Sequence, residues 1–513
     1  MRRLGFLVLV LGVGCAGRGG LEAETMGWIR VETEDLIIRT DLSQGKAVEL
    51  AKNYQRLRTA IAENELPCAF ERSNVPMEFV VLKEPSDFED LAGPHTRGFS
   101  AHPPSSRLDT KLQLVMDGRE AARNTQLFVH ELTHGAVAIC FPGGRPWLHE
   151  GLASFYETAR IESGELVLGM PAYGFVQMTN VEPMFDIYPV HANGAEVWIL
   201  PSRLLPDFDE LRNMDATEFY FLGKRRSVSD LRQRTAHYAG AWLAVHILQL
   251  GDSTLSGRFT TYLTGLARGE NDDRAWARSF AGVDVASRCQ NYLDVDYKME
   301  ARPVAAATPR QPSVHPMPQV EVALLRSRLY SWWSEEEAAT ALEYLDFAAS
   351  KSSTSSDLML HMAAFHLEAG RALDGWSWLE RAVEQAPADP QVAATAILWF
   401  AGSDDATSER ARLDAWAQTL RGSAQTAFQF VELGEYFVRV AGDPRSGFEY
   451  LQKSLTLDAT SWRTYALMGE ALAEVGKSEA AIQAYYTAIA LTGHGSPELR
   501  ASLKERIDRL EHR

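Results

Sequence analysis

Apolar and polar residues alternate with two different periods along the first part of the chain. Residues 29–31 and 36–38 are short β runs separated by a polar stretch, which predicts a hairpin. Between Ala47 and Ile61 the apolar positions recur at helical spacing, and residues 79–82 form a compact apolar run typical of a buried strand. Residues 112–116 alternate and predict a half-buried strand. Such mixing of strands and helices predicts an α+β domain.

The pattern changes twice further along the chain. Residues 27–300 keep the mixed pattern, and we expect them to form a single domain. Residues 301–320 are rich in proline among alanine and polar residues, which predicts a stiff, extended linker that buries little surface. The pattern of residues 321–513 then predicts an all-helical region.

The all-helical part contains an internal repeat. The recurring positions are Gly469, Gly476, Ala481, Tyr485 and Ala488 in the last copy, Gly434, Gly442, Gly447, Tyr450 and Ser454 in the copy before it, and Ala363, Gly370, Gly375, Leu379 and Ala382 further back. Small residues are needed where two helices of a hairpin cross closely, and large ones fill the gap to the next hairpin. The spacing resembles the tetratricopeptide repeat (TPR), which implies an all-α solenoid that binds a protein partner. Amphipathic helices without true repeats are the alternative.

The charge balance narrows the classes of partner. The 513 residues are 46% hydrophobic and 23% charged, with a formal net charge of −17. An acidic chain without a dense basic run argues against nucleic acid as a partner and weakens adhesion to anionic lipid. Attachment to a membrane would therefore depend on something other than electrostatic attraction to lipid.

The first residues predict export. Two arginines, an apolar stretch at residues 4–13 and small residues after it are typical of a signal peptide, here residues 1–16. The run that ends at Cys15 resembles the lipobox of bacterial lipoproteins, although Gly12 stands where that motif normally has leucine. This resemblance implies a cell-envelope protein held to the membrane by a lipid on Cys15. Ordinary cleavage after Ala16, giving a periplasmic or secreted protein, is the alternative.

Three further cysteines are spread along the chain. Cys68, Cys140 and Cys289 allow at most one disulfide among themselves, and no pair has the C-x-x-C spacing of a metal site. We expect them to have a packing role, with one bridge if the domain is exported.

The segment 130–134, His-Glu-Leu-Thr-His, holds the candidate chemistry. Two histidines four residues apart lie one turn apart on the same helix face, so both imidazoles can reach one metal ion. Glu131 lies beside them and can act as the general base that takes a proton from water. A capping-box-like pair at Asp117 and Glu120 predicts the start of the helix, and residues 141–144, Phe-Pro-Gly-Gly, predict its end.

Glu150 is the predicted third ligand. Pro146 suits the first position of a new helix, and the short break before it favours an antiparallel pair of helices. At 1.5 Å per residue, His134 and Glu150 lie about 9 and about 6 Å from the turn, so Glu150 returns to the level of the histidines. Two histidines and one glutamate leave a zinc coordination position for water, as in catalytic sites.

The two segments together resemble the gluzincin metallopeptidases of the peptidase MA-like group. The resemblance covers His-Glu-Leu-Thr-His and the downstream Trp-Leu-His-Glu-Gly-Leu-Ala at residues 147–153. It implies a zincin-type domain that holds one Zn2+ by His130, His134 and Glu150 and hydrolyses peptide bonds. The Gly-x-Met-Glu-Asn segment of the aminopeptidases is absent, so their specificity is not implied.

Residues outside the motif are predicted to assist metal binding and the reaction. Glu157 is seven residues after Glu150 on the same helix face and can hydrogen-bond a metal-bound histidine; a solvated surface glutamate is the alternative. Tyr238 can donate a hydrogen bond to the oxyanion of the reaction, as can His237, whereas a core tyrosine is the alternative. By analogy, residues 98–101 are an edge that pairs with the substrate backbone.

The sequence therefore predicts a zinc metallopeptidase with helical repeats. A peptide or protein is the expected substrate, and Glu131 is the expected base. An idle metallopeptidase domain on a scaffold that acts through its repeats is a second hypothesis, and a zinc hydrolase with a different substrate is a third.

Overall fold

The protein is described by a computed structural model. It describes residues 16–64, 76–92, 98–101, 113–118, 126–141, 144–171, 188–192, 195–199, 205–215, 218–219, 228–251, 253–292, 297–304, 309–330, 335–352, 354–401, 409–458, 461–491 and 497–512. Within them the chain is mostly helical, with a small mixed sheet followed by a helical repeat-like region. Residues 1–15 of the predicted signal segment, including Cys15, lie outside the described residues, and so does Cys68.

The strands form three sheets. They are β1 (Ile29–Glu32), β2 (Leu36–Thr40), β3 (Met77–Leu82), β4 (Gly98–Ala101), β5 (Gln113–Asp117), β6 (Arg160–Glu162), β7 (Glu165–Leu168), β8 (Tyr188–Ala192), β9 (Ala195–Ile199), β10 (Glu300–Pro303) and β11 (Ser313–Pro316). The main sheet has the order β11-β1-β2-β3-β5-β4, and the smaller sheets are β10-β7-β6 and β8-β9. Strands β2, β3 and β5 are parallel, and β1, β4 and β11 run antiparallel to their neighbours.

Ten described helices precede the repeat-like region. They are α1 (Ala16–Glu24), α2 (Gln44–Asn64), α3 (Pro85–Ala92), α4 (Gln126–Cys140), α5 (Pro146–Tyr156), α6 (Phe208–Asn213), α7 (Val228–His246), α8 (Ser253–Ala267), α9 (Asp272–Ser279) and α10 (Val285–Asn291). A π-helical turn, Ile247–Gly251, follows α7 directly.

The hairpin, the first long helix and the buried strand predicted from the sequence are confirmed. The hairpin is β1–β2, in which Ile29 pairs with Thr40, and the predicted helix and buried strand are α2 and β3. Asp117 is the last residue of β5 and pairs with Leu82, and the next residue, Gly118, is helical, as expected of a residue that precedes a helix; Glu120 lies outside the described residues. The described part of α4 begins at Gln126.

The main sheet is covered on both faces. On one face its side chains join a large core formed with α2, α4, α5 and α7. On the other face, Val80, Leu82 and Val115 pack against Val322 and Leu325 of α11 (Gln319–Leu329). The sequence predicted a half-buried strand at β5, but Leu114, Val115 and Met116 are all buried. The second face is buried because the first helix of the repeat-like region lies on it.

The proline-rich segment is more than a linker. Its described residues are extended, as the prolines predict, but β10 pairs with β7 and β11 pairs with β1. The two strands bury little, as predicted, since none of their residues is fully buried, but the prediction that residues 301–320 only separate two parts of the chain is wrong for them. Both strands lie at sheet edges, where a residue without a backbone N–H is tolerated.

The repeat-like region consists of stacked helical hairpins. Its helices are α11 (Gln319–Leu329), α12 (Glu335–Lys351), α13 (Ser356–Glu368), α14 (Ala372–Gln385), α15 (Pro390–Ala401), α16 (Arg410–Ser423), α17 (Ala427–Glu435), α18 (Pro444–Leu457), α19 (Trp462–Glu474), α20 (Ser478–Leu491) and α21 (Pro497–Glu511). Gly370, Gly442 and Gly476 occupy equivalent turns with φ of 72°, 67° and 76°, which glycine adopts readily. A Cβ at Gly469 would stand 2.6 Å from the Tyr485 ring, which confirms that this small residue permits a close helix crossing.

The remaining cysteines differ in state. Cys140, at the end of α4, is disulfide-bonded, whereas Cys289 is buried and free. In the part of the chain that the structure describes, no helix combines the length and the apolar character that crossing a membrane requires.

Candidate metal centre

Helices α4 and α5 bring the three predicted ligands to one point. His130 and His134 project from α4, and Glu150 projects from α5, which packs against α4 after a short turn. The Nε2 atoms of the two histidines are 3.1 Å apart. Glu150 Oε2 lies 3.5 Å from His130 Nε2 and 3.4 Å from His134 Nε2. The ligand atoms therefore form a nearly equilateral triangle.

This triangle fits zinc. Zinc binds imidazole nitrogen and carboxylate oxygen at about 2.0–2.2 Å, so two ligands of a tetrahedral ion stand about 3.4 Å apart. The three observed separations, 3.1, 3.4 and 3.5 Å, are close to that value. Two imidazoles and one carboxylate are also the donor set of catalytic zinc sites. The residues present thus fit a zinc ion without a change of backbone.

Glu157 orients the first histidine. Its Oε2 lies 2.7 Å from His130 Nδ1, and because a carboxylate only accepts, the Nδ1–H donates. The lone pair of His130 is thereby left on Nε2, the atom that faces the other two ligands. The Glu157 side chain is 14% exposed, so it is not a solvated surface glutamate.

The charges of the two histidines and of Glu150 stabilise one another. Burial alone lowers the pKa of His130, but hydrogen bonds to Glu150 and Glu157 outweigh it and hold that pKa well above its usual value. Burial alone raises the pKa of Glu150, yet the nearby charges and hydrogen bonds of His134 and His130 hold it well below its usual value. Glu150 is therefore a carboxylate although it is only 2% exposed.

Tyr238 of α7 closes the other side of the site. Burial raises the pKa of Tyr238 well above its usual value, and the negative charges of Glu150 and Glu131 add to the effect. Its hydroxyl stays protonated and donates to the Glu150 carboxylate. Glu131 is half-buried on α4, close enough to Tyr238 to act on its charge. The base and the donor predicted from the sequence thus lie within electrostatic range of each other.

The two other histidines near the motif are held by backbone groups. His237 Nδ1 lies 2.9 Å from the Phe219 carbonyl oxygen, so this ring is engaged away from the ligands. His149 packs near Gly144, before α5. Its Nε2 lies 3.2 Å from the point where a Cβ would stand if Gly144 had a side chain. Burial, followed by the charge of His134, lowers the pKa of His149 to about 4.

A charge cluster at the start of α5 was not predicted. Arg145, the N-cap residue of α5, contacts Asp272 at 3.1 Å and Asp273 at 2.9 Å, and it donates to the Asn213 carbonyl oxygen at 3.1 Å. Arg212 contacts the same two aspartates at 3.1 and 3.2 Å. The cluster anchors the helix that carries Glu150 to α6 and α9. A cation at a helix N-terminus opposes the helix dipole, and this was the signal in the sequence that Arg145 needs acidic partners.

Comparison with known proteins adds little. No protein-family model matches the chain, and no curated protein matches it. One solved structure that is similar in part is the crystal structure of a thermophilic TPR protein from Thermus thermophilus, with 14% sequence identity. The match covers 35% of this chain and 92% of that one, with a TM-score of 0.28. A score this low does not establish a shared fold, so no conclusion about function is drawn from it.

Proposed function

We propose that this protein is a zinc-dependent hydrolase of the gluzincin kind that cleaves peptide bonds. The observation that carries the proposal is the triangle formed by His130, His134 and Glu150, with edges of 3.1–3.5 Å. A zinc ion bound there supplies a Lewis acid that polarises a carbonyl group and lowers the pKa of a water molecule.

The chain's own groups would carry the proton transfers. Glu131 would accept a proton from the attacking water and deliver it to the leaving amine, since it follows His130 on α4 and is not a member of the ligand cluster. Tyr238 keeps its proton and can donate a hydrogen bond to the oxyanion that develops on the substrate. Glu157 keeps His130 in the tautomer that binds metal.

The edge of the main sheet offers a place for the substrate backbone. Strand β4 is the last strand of the sheet and pairs with β5 on one side, with no described strand on its other side. An extended peptide can add to such an edge through main-chain hydrogen bonds. This supports a peptide as substrate over a small-molecule ester or amide.

The test compares three purified proteins by zinc content and by cleavage of a peptide library. We expect wild type to bind one zinc per chain and to cleave, Glu131→Gln to bind zinc without cleaving, and Glu150→Ala to lose most of the zinc. Loss of a catalytic base costs at least about 100-fold in rate. Full activity of Glu131→Gln, or a folded wild type that binds no zinc, would overturn the proposal.

The helical hairpins favour a second candidate function. A stacked array of hairpins such as α13–α20 is the architecture of TPR proteins, which bind proteins or peptides. On this reading the protein is a scaffold of the cell envelope and its metal site is idle. It is favoured if wild type binds zinc and retains a protein partner but cleaves no peptide.

We also propose that the protein is exported. The N-terminal pattern predicts a signal peptide, and the disulfide at Cys140 agrees, because disulfides persist in oxidising compartments. Lipidation at Cys15 would give an envelope lipoprotein, and mass spectrometry of the mature N-terminus separates this outcome from ordinary cleavage.

A further inference from the structure

Arg234 stands apart from the other arginines around the site. It is half-buried on α7, yet it forms no hydrogen bond or ion pair in the part of the chain that the structure describes. The other half-buried arginines described between residues 16 and 304 each face a carboxylate or a carbonyl oxygen, as Arg39 faces Glu78 and Arg258 faces the Ser279 carbonyl. A guanidinium carries N–H donors that lose water on burial and need acceptors in return. Arg234 differs in having no such partner among the described residues, and none of its nitrogens is buried without a hydrogen-bond partner, so its guanidinium is free to receive a ligand.

The position of Arg234 points to the substrate as that partner. Arg234 and Tyr238 are four residues apart on α7, so they share a helix face and are separated by about 6 Å along the axis. Tyr238 in turn donates to Glu150, a ligand of the metal site. Arg234 therefore lies one helical turn from the predicted oxyanion donor, and its charge acts on the Tyr238 hydroxyl.

The charge balance explains why a cation would be needed there. Glu131, Glu150 and Glu157 place three carboxylates around the ligand triangle, and one divalent ion neutralises only two of these charges. A substrate that carries its own carboxylate would be repelled by Glu131 unless a positive group received it. Guanidinium and carboxylate match in shape as well as in charge, since two parallel N–H groups can donate to two oxygens.

We propose that Arg234 binds a carboxylate of the substrate close to the bond that is cut. This inference rests on the proposed function and names a substrate class for it. An extended residue spans about 3.3–3.6 Å, so a carboxylate held about 6 Å from the Tyr238 position lies roughly two residues from the scissile bond. The carboxylate is either an acidic side chain or the free C-terminus of a peptide, and both have the same chemistry.

The experiment uses the full-length zinc-loaded protein and N-acetylated octapeptides in matched forms. One pair differs by a free C-terminal carboxylate against an amide, and the other pair by glutamate against glutamine in the sequence. We expect wild type to prefer one carboxylate form by roughly 10- to 100-fold in kcat/KM, and Arg234→Gln to lose this preference mainly through KM. Zinc content should be unchanged in the variant, and cleavage of the neutral peptides should fall far less than cleavage of the preferred carboxylate form. The pair that shows the preference identifies the source of the carboxylate.

Arg274→Gln is the matched control. Arg274 is exposed on α9, so its replacement removes the same charge from the surface without touching the site. A preference that persists in Arg234→Gln, or that falls equally in Arg274→Gln, would overturn the inference while leaving the peptidase assignment intact. A wild type that binds no zinc and cleaves neither form would instead refute the proposed function, and this inference with it.

Discussion

The backbone carbonyl oxygen of Ala241 lies 2.6 Å from the point where a Cβ would stand at Gly151. The Val245 side chain of α7 lies equally near that point, so helices α5 and α7 cross closely at Gly151, and glycine is the residue that permits the crossing. Gly151 is the neighbour of Glu150, and Ala241 is one turn beyond Tyr238. Close contact between the two backbones thus brings the Tyr238 hydroxyl to the Glu150 carboxylate.

Gly151→Ala should separate these two helices. The added methyl group would meet a backbone carbonyl, which cannot rotate away as a flexible side chain can. We expect the free energy of unfolding to fall by about 1–3 kcal/mol, measured by urea denaturation. Gly257→Ala is the control, because Gly257 lies within α8 and nothing lies within 4 Å of its Cβ position. That variant should gain about 0.5–1 kcal/mol. Equal stabilities for the two variants would contradict the crossing.

Glu157→Gln should weaken zinc binding without removing a ligand. The carboxylate holds the His130 Nδ1–H at 2.7 Å, and the neutral amide orients the ring less firmly. Loss of such a partner typically costs about 10- to 100-fold in metal affinity, which competition with a chromogenic chelator measures. Glu162→Gln removes the same charge from a side chain that is 57% exposed, and it should bind zinc like wild type. Wild-type affinity in Glu157→Gln would mean that this contact does not support the metal site.

His246 should make stability depend on pH. This fully buried ring contacts the carbonyl oxygens of Gly169 at 3.0 Å and Lys298 at 3.1 Å through Nε2, and burial lowers its pKa to about 4. Since an unfolded histidine titrates near 6.5, the unfolded chain binds the extra proton first. The stability from the neutral ring is present above about pH 6.5 and is lost as the pH falls towards 4, by up to about 3 kcal/mol.

The comparison with His246→Gln isolates this effect. The glutamine amide can still donate to a carbonyl oxygen but does not titrate. We therefore expect wild type to lose stability relative to the variant between pH 6.5 and pH 4, measured by urea unfolding at each pH. Parallel stability curves for the two proteins would show that His246 does not carry the dependence.

Arg326 should couple the repeat-like region to the sheet. This guanidinium, on α11, contacts Asp87 of α3 at 2.6 Å, the Tyr344 hydroxyl of α12 at 3.0 Å and Glu24 of α1 at 3.5 Å. Arg326→Met leaves the carboxylates of Asp87 and Glu24 without their cation. Because both carboxylates are partly exposed, they regain some hydration. We expect a loss of about 2–3 kcal/mol and faster proteolytic cleavage within residues 305–318.

Arg310→Met is the control for the loss of an ion pair. The Arg310 side chain is 81% exposed and pairs with Glu34 on the surface, where such a pair contributes little. Calorimetry of wild type should show the sheet and the first hairpins unfolding together. Two separate transitions in wild type would mean that the segment acts as a simple linker after all.

Local sequence was sufficient for much of the fold and for the ligand set. The β1–β2 hairpin, α2 and β3 follow from the period of their apolar residues, which is a property of a few neighbouring positions. His130 and His134 share a helix face by spacing alone, and the short turn before Pro146 returns Glu150 to their level. Such inferences hold because bond geometry and helix pitch act over one or two turns.

The tertiary structure decided what depends on residues far apart in the chain. Whether Glu157 is a surface side chain or a partner of His130 depended on how α5 rotates against α4, which the Arg145–Asp272 cluster and the Gly151–Ala241 crossing govern. The roles of Tyr238 and His237, adjacent in sequence, were separated only by the packing of α7. Likewise, prolines made residues 301–320 look like a linker, and only pairing with β1 and β7 shows that this segment completes two sheets. Helix and strand formation is local, whereas helix rotation and edge pairing are chosen by the free energy of packing distant surfaces together.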